Sequence, residues 1–411
     1  MTFRNLFGKK ILKHCITLAT SVCIFTTNMP VYGTEIINPT DFQNGNDLTH
    51  FSQAYMLSDL DGHYNVFSYN VSKPLGIASL TKLMTLSIVL DEINQGHMTL
   101  NEMVTISEHA LSQDGNGLKL HVGEQMSVDD LLHGMLICSS NDAAVALAER
   151  VAGSESAFVK LMNQKSASLG LNSVSFVNAS GLTQYDASKN TLPDQNMMNS
   201  IELLKLTQYL LTHYPELTEI TNLESWTLNS KQIVKHNTNA LLETIPEVDG
   251  FKTGFTNFAG YCQVTTAHLD FGSVDTKIID DLTHQFNSFP SEKEIVAIVL
   301  GASSKYRKND ITSTLINYAK NQCQLYLLCK DTVPMYVKDF DLPPDCGIFP
   351  TDTISLTYPK SGHIEYTIML DPFWKKSPKF IPSMPVGKII FYDKDQYLLS
   401  VDLILKELSQ Y

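Results

Sequence analysis

Ser79-Leu80-Thr81-Lys82 places a hydroxyl and an amine three residues apart. On a helix that spacing is one face, so the amine can reach the hydroxyl. A lysine kept dry and close to a second cation loses its proton near neutral pH and can act as general base for such a nucleophile. An N-cap serine followed by a surface lysine would give the same four letters. Lys82, however, lies inside an apolar run, where a lone ammonium is costly. A second group, Ser139-Ser140-Asn141, is a polar knot between two apolar segments and reads as a turn or as a site. In a third, Lys252-Thr253-Gly254, an ammonium and a hydroxyl stand beside a residue without Cβ. On a strand this lets an extended peptide come close while the two donors meet a carboxylate. The three groups lie 60 and 113 residues apart, so only the fold can bring them together.

The elements that must do so are legible in outline. Ala54 to Leu60 and Tyr64 to Tyr69 read as strands joined at Asp61-Gly62. From Ser79 to Gln95 apolar residues cover almost the whole circumference of a helix, which predicts a buried one, with Gly96 placed to end it. Ser127 with Asp130 resembles a capping box for a second helix that stops near Cys138. Asn141 and Asp142 offer caps for a third, ending at Gly153. Further helices are predicted over 157–169, 201–212 and 310–326. Strands are predicted at 251–253, 260–267 and 295–300, with a long surface loop over about 269–294. Beyond Lys330 short alternating runs broken by Pro and Gly predict a small all-β domain.

Arg4, Lys9, Lys10 and Lys13 precede an apolar stretch, Ile16 to Phe25, and small residues near Val31-Tyr32-Gly33. This order predicts a secretory signal peptide over residues 1–33 and an exported protein; an uncleaved anchor is the other reading. Loss of those four cations takes the net charge from −13 to −17. So acidic a chain lacks the basic surface that nucleic acid requires. Five cysteines remain, without CxxC spacing, and no HExxH pair occurs among the twelve histidines. Neither a disulfide framework nor a metal site is implied, and no cofactor is expected.

The three motifs, in this order and each on a suitable element, are the signature of penicillin-recognising serine acyltransferases. Longer stretches resemble the D-alanyl-D-alanine carboxypeptidases, the low-molecular-mass penicillin-binding proteins. These are Ile77 to Thr85, Ser139 to Ala144, Asn178-Ala179-Ser180-Gly181-Leu182, Asp249 to Thr256 and Gly260-Tyr261-Cys262. The resemblance runs through most of residues 50–330 and, more weakly, through the β tail. It implies an α+β (α/β) transpeptidase domain of the penicillin-binding/β-lactamase type over 34–330, followed by a β-rich domain over 331–411. Ser79 would be the nucleophile, Lys82 the base and Ser139 the proton relay to the leaving D-alanine. Asn141 would hold Lys82 and the substrate amide. Lys252, Thr253 and Gly254 would bind the terminal carboxylate, with the N–H groups of Ser79 and Phe255 as oxyanion hole. The implied substrate is a peptidoglycan stem peptide ending in D-Ala-D-Ala, and β-lactams would inhibit by acylating Ser79.

Three features depart from that pattern. Thr238 and Ala240 occupy the stretch where many relatives carry an arginine for the carboxylate. The 269–294 loop is longer than usual, and the chain ends in an alternating run, Leu399 to Leu405, rather than an amphipathic helix, so no C-terminal anchor is expected. Two other functions compete. A class A β-lactamase would need a glutamate to activate water; Glu216, in Pro215-Glu216-Leu217, is the superficial candidate. A non-catalytic wall-binding protein on the same fold would be marked by loss of a motif residue, and none is lost.

Overall fold

The computed structural model describes residues 48–62, 64–184, 194–275, 290–329, 331, 334–335, 342, 346–371 and 383–407. The predicted signal peptide lies outside them.

A five-stranded antiparallel sheet organises the first part of the chain. Its strands are β1 (Ala54–Asp59), β2 (Asn65–Tyr69), β3 (Val248–Thr256), β4 (Gly260–Asp270) and β5 (Glu292–Ala302), in the order β2-β1-β5-β4-β3. The strand carrying Lys252 is therefore an edge of the sheet. One face of the sheet packs on α1 (Lys82–Asn94), α2 (Val128–Ile137), α3 (Asn141–Ala152), α4 (Glu155–Ser168) and α5 (Ser200–His213). The other face packs on α6 (Lys305–Gln322). As its all-round apolar pattern predicts, α1 is buried continuously from Lys82 to Leu90.

The β-rich tail has its own core, which includes Tyr326, Leu356, Phe391 and Leu403. Its strands are β6 (Cys323–Cys329), β7 (Cys346–Pro350), β8 (Ile354–Pro359), β9 (Ile364–Leu370), β10 (Pro385–Asp393) and β11 (Gln396–Glu407). The last four-stranded sheet runs β7-β11-β10-β9. Asp59 joins the two parts: its Oδ2 accepts from Thr357 N at 2.8 Å. Beside it, Lys293 Nζ donates to Ser355 Oγ at 2.6 Å and pairs with Asp61.

Four local expectations are corrected. The α-helix begins at Lys82, not Ser79; Ala78–Thr81 is a 3-10 turn, entered through the left-handed backbone of Ala78. Asn141 and Asp142 do not cap α3 as single N-cap residues do. Ser140 holds that position, and the Asn141 side chain is spent on Lys82. The last predicted helix stops at Gln322, where Cys323 turns to extended backbone and starts β6. The long loop is shorter than expected: 269–270 and 292–294 are strand, and Val274–Asp275 pairs with Leu325 and Tyr326. Its residues 276–289 lie outside the described ones. Cys138, Cys262, Cys323, Cys329 and Cys346 are all free and buried.

Candidate active site

The first motif is assembled by a strained turn. Ala78 adopts a left-handed φ of 47°, which bends the chain out of Leu75–Gly76 into the 3-10 turn and lifts Ser79 to the end of α1. Thr81, one residue before the helix, accepts from Asn196 Nδ2 at 2.8 Å, and Ile77 N donates to Asn196 O at 3.2 Å. The turn that carries Ser79 is thus clamped to a segment more than a hundred residues away.

Lys82 is fully buried, and three oxygens surround its amine: Ser79 Oγ at 3.0 Å, Asn141 Oδ1 at 2.7 Å and the Ser180 carbonyl at 2.7 Å. Burial, reinforced by the charge of Lys252, holds its pKa well below that of an ordinary lysine. Lys252 is also buried; desolvation pushes it down to about 7, and its amine donates to the Thr253 carbonyl at 2.8 Å. A neutral Lys82 has two N–H donors and one lone pair. With Asn141 and Ser180 taking the hydrogens, the lone pair faces the Ser79 hydroxyl.

The second motif sits where α2 hands over to α3. Ser139 is buried with a φ of 60°, and Ser140 N closes the turn on Gly134 O at 3.1 Å. A loop before α2 lies over this turn. Asn141 N donates to Asn116 O at 2.7 Å, Asn116 Nδ2 to Cys138 O at 3.0 Å, and Leu118 N to Asp142 Oδ2 at 2.9 Å. Lys235 Nζ braces the loop from outside through Gly117 O at 2.7 Å.

The third motif faces Ser79 with its backbone. A Cβ on Gly254 would stand 2.9 Å from Ser79 N, too close for any side chain. β3 therefore lies directly against the amide of Ser79. Thr253 Oγ1 donates to Thr238 Oγ1 at 2.7 Å. Asn239 keeps Thr238 in place: its Nδ2 bonds Gly250 O at 3.1 Å and its Oδ1 accepts from Gln263 Nε2 at 3.1 Å. Phe255 follows half-exposed, its ring 4.2 Å from that of Tyr261.

The fold thus brings Ser79, Lys82 and Asn141 into one hydrogen-bonded cluster, packs Gly254 against it and couples Lys252 to Lys82 by charge. Ser139 stands at the turn immediately before Asn141. Glu216 is elsewhere, in a 3-10 turn on the end of α5. Sequence reasoning missed two parts. The Ser180 carbonyl was visible only as part of the stretch Asn178 to Leu182, because a backbone acceptor has no residue signature. Thr238 was noticed only for not being arginine; its bond to Thr253 depends on the buried Asn239–Gln263 pair.

Comparisons with known proteins agree with this geometry. The Peptidase_S11 family model, described as D-alanyl-D-alanine carboxypeptidase, matches residues 41–282. The D-alanyl-D-alanine carboxypeptidase DacF of Bacillus subtilis (strain 168) is 32% identical over 293 residues, 71% of this chain and 67% of its own length. DacA of Haemophilus influenzae is 34% identical over 222 residues, 53% of each protein, so the chain matches about half of that relative's length. Among solved structures, the D-alanyl-D-alanine carboxypeptidase DacD from Francisella tularensis superimposes with a TM-score of 0.69 at 23% identity, covering 91% of this chain and 95% of its own. Penicillin-Binding Protein D2 from Listeria monocytogenes, in its ampicillin-bound form, gives a TM-score of 0.51 at 28% identity, covering 65% of this chain and 96% of that one.

Proposed function

The chain belongs to the D-alanyl-D-alanine carboxypeptidase family of serine peptidases, and we propose that it removes the terminal D-alanine from peptidoglycan stem peptides through an acyl-enzyme on Ser79. The observation that carries this is the buried Lys82 amine, aimed at Ser79 Oγ by two other acceptors.

The substrate adds along the edge of β3 as an extended strand. Its carboxylate meets the Lys252 ammonium and the hydroxyl pair of Thr253 and Thr238, in which Thr253 donates to Thr238. Lys82 takes the Ser79 proton as Oγ attacks the penultimate D-alanine carbonyl. The N–H groups of Ser79 and Phe255 receive the oxyanion, where one such donor is worth ~3 kcal/mol. Ser139 relays the proton from Lys82 to the leaving amine, D-alanine departs, and Lys82 is neutral again. Lys82 then deprotonates a water that attacks the ester, and as the ester bond breaks it returns that proton to Ser79 Oγ. A β-lactam follows the first half of this course and leaves Ser79 acylated.

Two related points are part of the same reading. Stem peptides lie outside the cytoplasm, and the basic–apolar–small order of residues 1–33 supports export by a signal peptide. Among the described residues no helix is long and apolar enough to cross a membrane, and the last described element is the strand Gln396–Glu407. The sequence places the boundary between the catalytic and β-rich domains near residue 330. We infer that it lies earlier, where α6 ends at Gln322, because β6 pairs with β8 and Tyr326 and Leu328 belong to the core of the β-rich tail.

Incubation with a pentapeptide ending in D-Ala-D-Ala, with release of D-alanine as readout, tests the proposal. Wild type should release it and Ser79→Ala should not. Fluorescent penicillin should label the wild type slowly and near-stoichiometrically. Rapid turnover of a chromogenic cephalosporin would instead favour a β-lactamase, and absence of label a non-catalytic wall-binding protein.

A further inference from the structure

The Ser180 carbonyl that accepts from Lys82 belongs to a strap, residues 178–182, with no regular secondary structure. Side chains must therefore fix its position. Asn178 folds it on itself, accepting from Gly181 N at 2.7 Å through Oδ1 and donating to Leu182 O at 2.7 Å through Nδ2. Ala179, immediately before Ser180, is anchored at both polar backbone groups. Its carbonyl accepts from Thr85 Oγ1 on α1 at 2.7 Å, and its N–H donates to Glu155 Oε1 at 2.9 Å. Glu155 is the first residue of α4 and is buried. Its second oxygen, Oε2, lies 2.7 Å from Nε2 of the half-exposed His109. A continuous path of contacts therefore runs from the surface at His109 through Glu155 and the Ala179–Ser180 backbone to the amine of Lys82.

We propose that Glu155 is a positioning residue for acylation: its carboxylate pins the Ala179 amide, so that the Ser180 carbonyl holds one Lys82 N–H and the amine's lone pair stays on Ser79. This rests on the reading of Ser79 and Lys82 given above. Glu155 touches neither the nucleophile nor the space beside β3 where a peptide would lie. Without it, the Ala179 N–H is buried with no acceptor, and the strap turns to find one. The Ser180 carbonyl then leaves Lys82, whose lone pair is no longer held in one direction. Small misplacements of this kind in a reacting pair cost about tenfold to a hundredfold in rate. Binding of the substrate carboxylate depends on Lys252 and Thr253, whose side chains hydrogen-bond to Thr253 O and Thr238 and not to the strap, and should survive.

Burst kinetics with fluorescent penicillin resolve the dissociation constant of the non-covalent complex, the acylation rate constant and the fraction of enzyme that labels. Glu155→Ala should lower the acylation rate constant about tenfold or more, with the dissociation constant unchanged. Glu155→Gln keeps an oxygen for the Ala179 N–H and should stay within about threefold of wild type. Thr85→Val removes the other anchor of Ala179 without disturbing Glu155 and should slow acylation in the same sense, which keeps the test open if Glu155→Ala does not fold. A purely structural role would lower the melting temperature and the labelled fraction while the active fraction kept the wild-type rate; that result overturns the proposal. So does a Glu155→Gln variant as slow as Glu155→Ala. A wild type that takes up no probe at all would instead sink the acyl-enzyme reading, and this proposal with it.

Discussion

The charge of Lys252 lowers the proton affinity of Lys82 beyond what burial alone does. In the proposed reaction Lys82 serves as the neutral base and Lys252 as the cation that meets the substrate carboxylate.

A pH dependence follows. Lys252 is lowered to about 7, in the company of the Lys308 ammonium and the Cys138 thiol. It is charged below that pH and neutral above it. A bound carboxylate favours the ammonium and moves its titration upward. For a D-Ala-D-Ala peptide, kcat/KM should therefore decline above about pH 7, approaching tenfold per unit, while kcat stays level further into the alkaline range. Initial rates from pH 5 to 10 provide the check; a kcat/KM that keeps rising through pH 9 contradicts the assignment of Lys252.

Asn141 supplies one of the two acceptors that orient Lys82. Asn141→Ala should slow penicillin acylation by about one to two orders of magnitude, as loss of a buried partner costs ~1–3 kcal/mol. Asn141→Asp tests the electrostatics. A carboxylate against the amine raises the pKa of Lys82, so this variant should be inactive at neutral pH and recover part of its rate as pH rises. Flat inactivity at every pH would contradict this.

Thr238 accepts the Thr253 hydroxyl proton, which leaves its own O–H to donate to the substrate carboxylate in the proposed complex. A hydrogen bond to a charged group contributes about 1.5–3 kcal/mol. Thr238→Val should accordingly lower kcat/KM for peptide about tenfold or more, and Thr238→Ser should restore it. Equal values for all three would remove Thr238 from the substrate site.

Stability should respond to pH through Glu294. Buried beside Asp249, to which it donates a hydrogen bond, its carboxyl is raised by desolvation and by the Asp249 charge; His268 Nδ1 lies 3.4 Å from its Oε2. A raised carboxyl contributes stability fully present below its unfolded pKa and lost as pH climbs through the folded one. Glu294→Gln keeps a donor for Asp249 and does not titrate. Its melting temperature should gain on the wild type between pH 5 and 9, by the equivalent of more than about 1 kcal/mol. A constant difference would refute this.

How much of this could be read from the chain depended on whether the determinant was local. The apolar circumference of α1, the capping box in which Ser127 Oγ accepts from Asp130 N, and the edge-strand triplet at Lys252 are patterns within a few residues, and they are found where expected. The start of α1 was misplaced because Ala78 takes a left-handed conformation that its type does not announce. Thr238, Glu155 and the loop at Asn116 owe their places to partners 15 to 25 residues away, through contacts that no local periodicity encodes.

The turn that carries Ser79 is flanked by two residues that have no side chain. A Cβ on Gly181 would fall on the Ala78 carbonyl oxygen and 2.9 Å from Ser79 N, and one on Gly254 would meet the same Ser79 N at 2.9 Å. Gly181 also has a φ of 91°, which other residue types rarely adopt. The backbone around Ser79 thus has no room to gain bulk on either side. Under antibiotic selection this serine could not be shielded by enlarging its immediate surroundings without disabling the proposed acylation by the peptide as well. Substitutions that lessen drug acylation should arise at exposed side chains such as Phe255, and not at these two glycines.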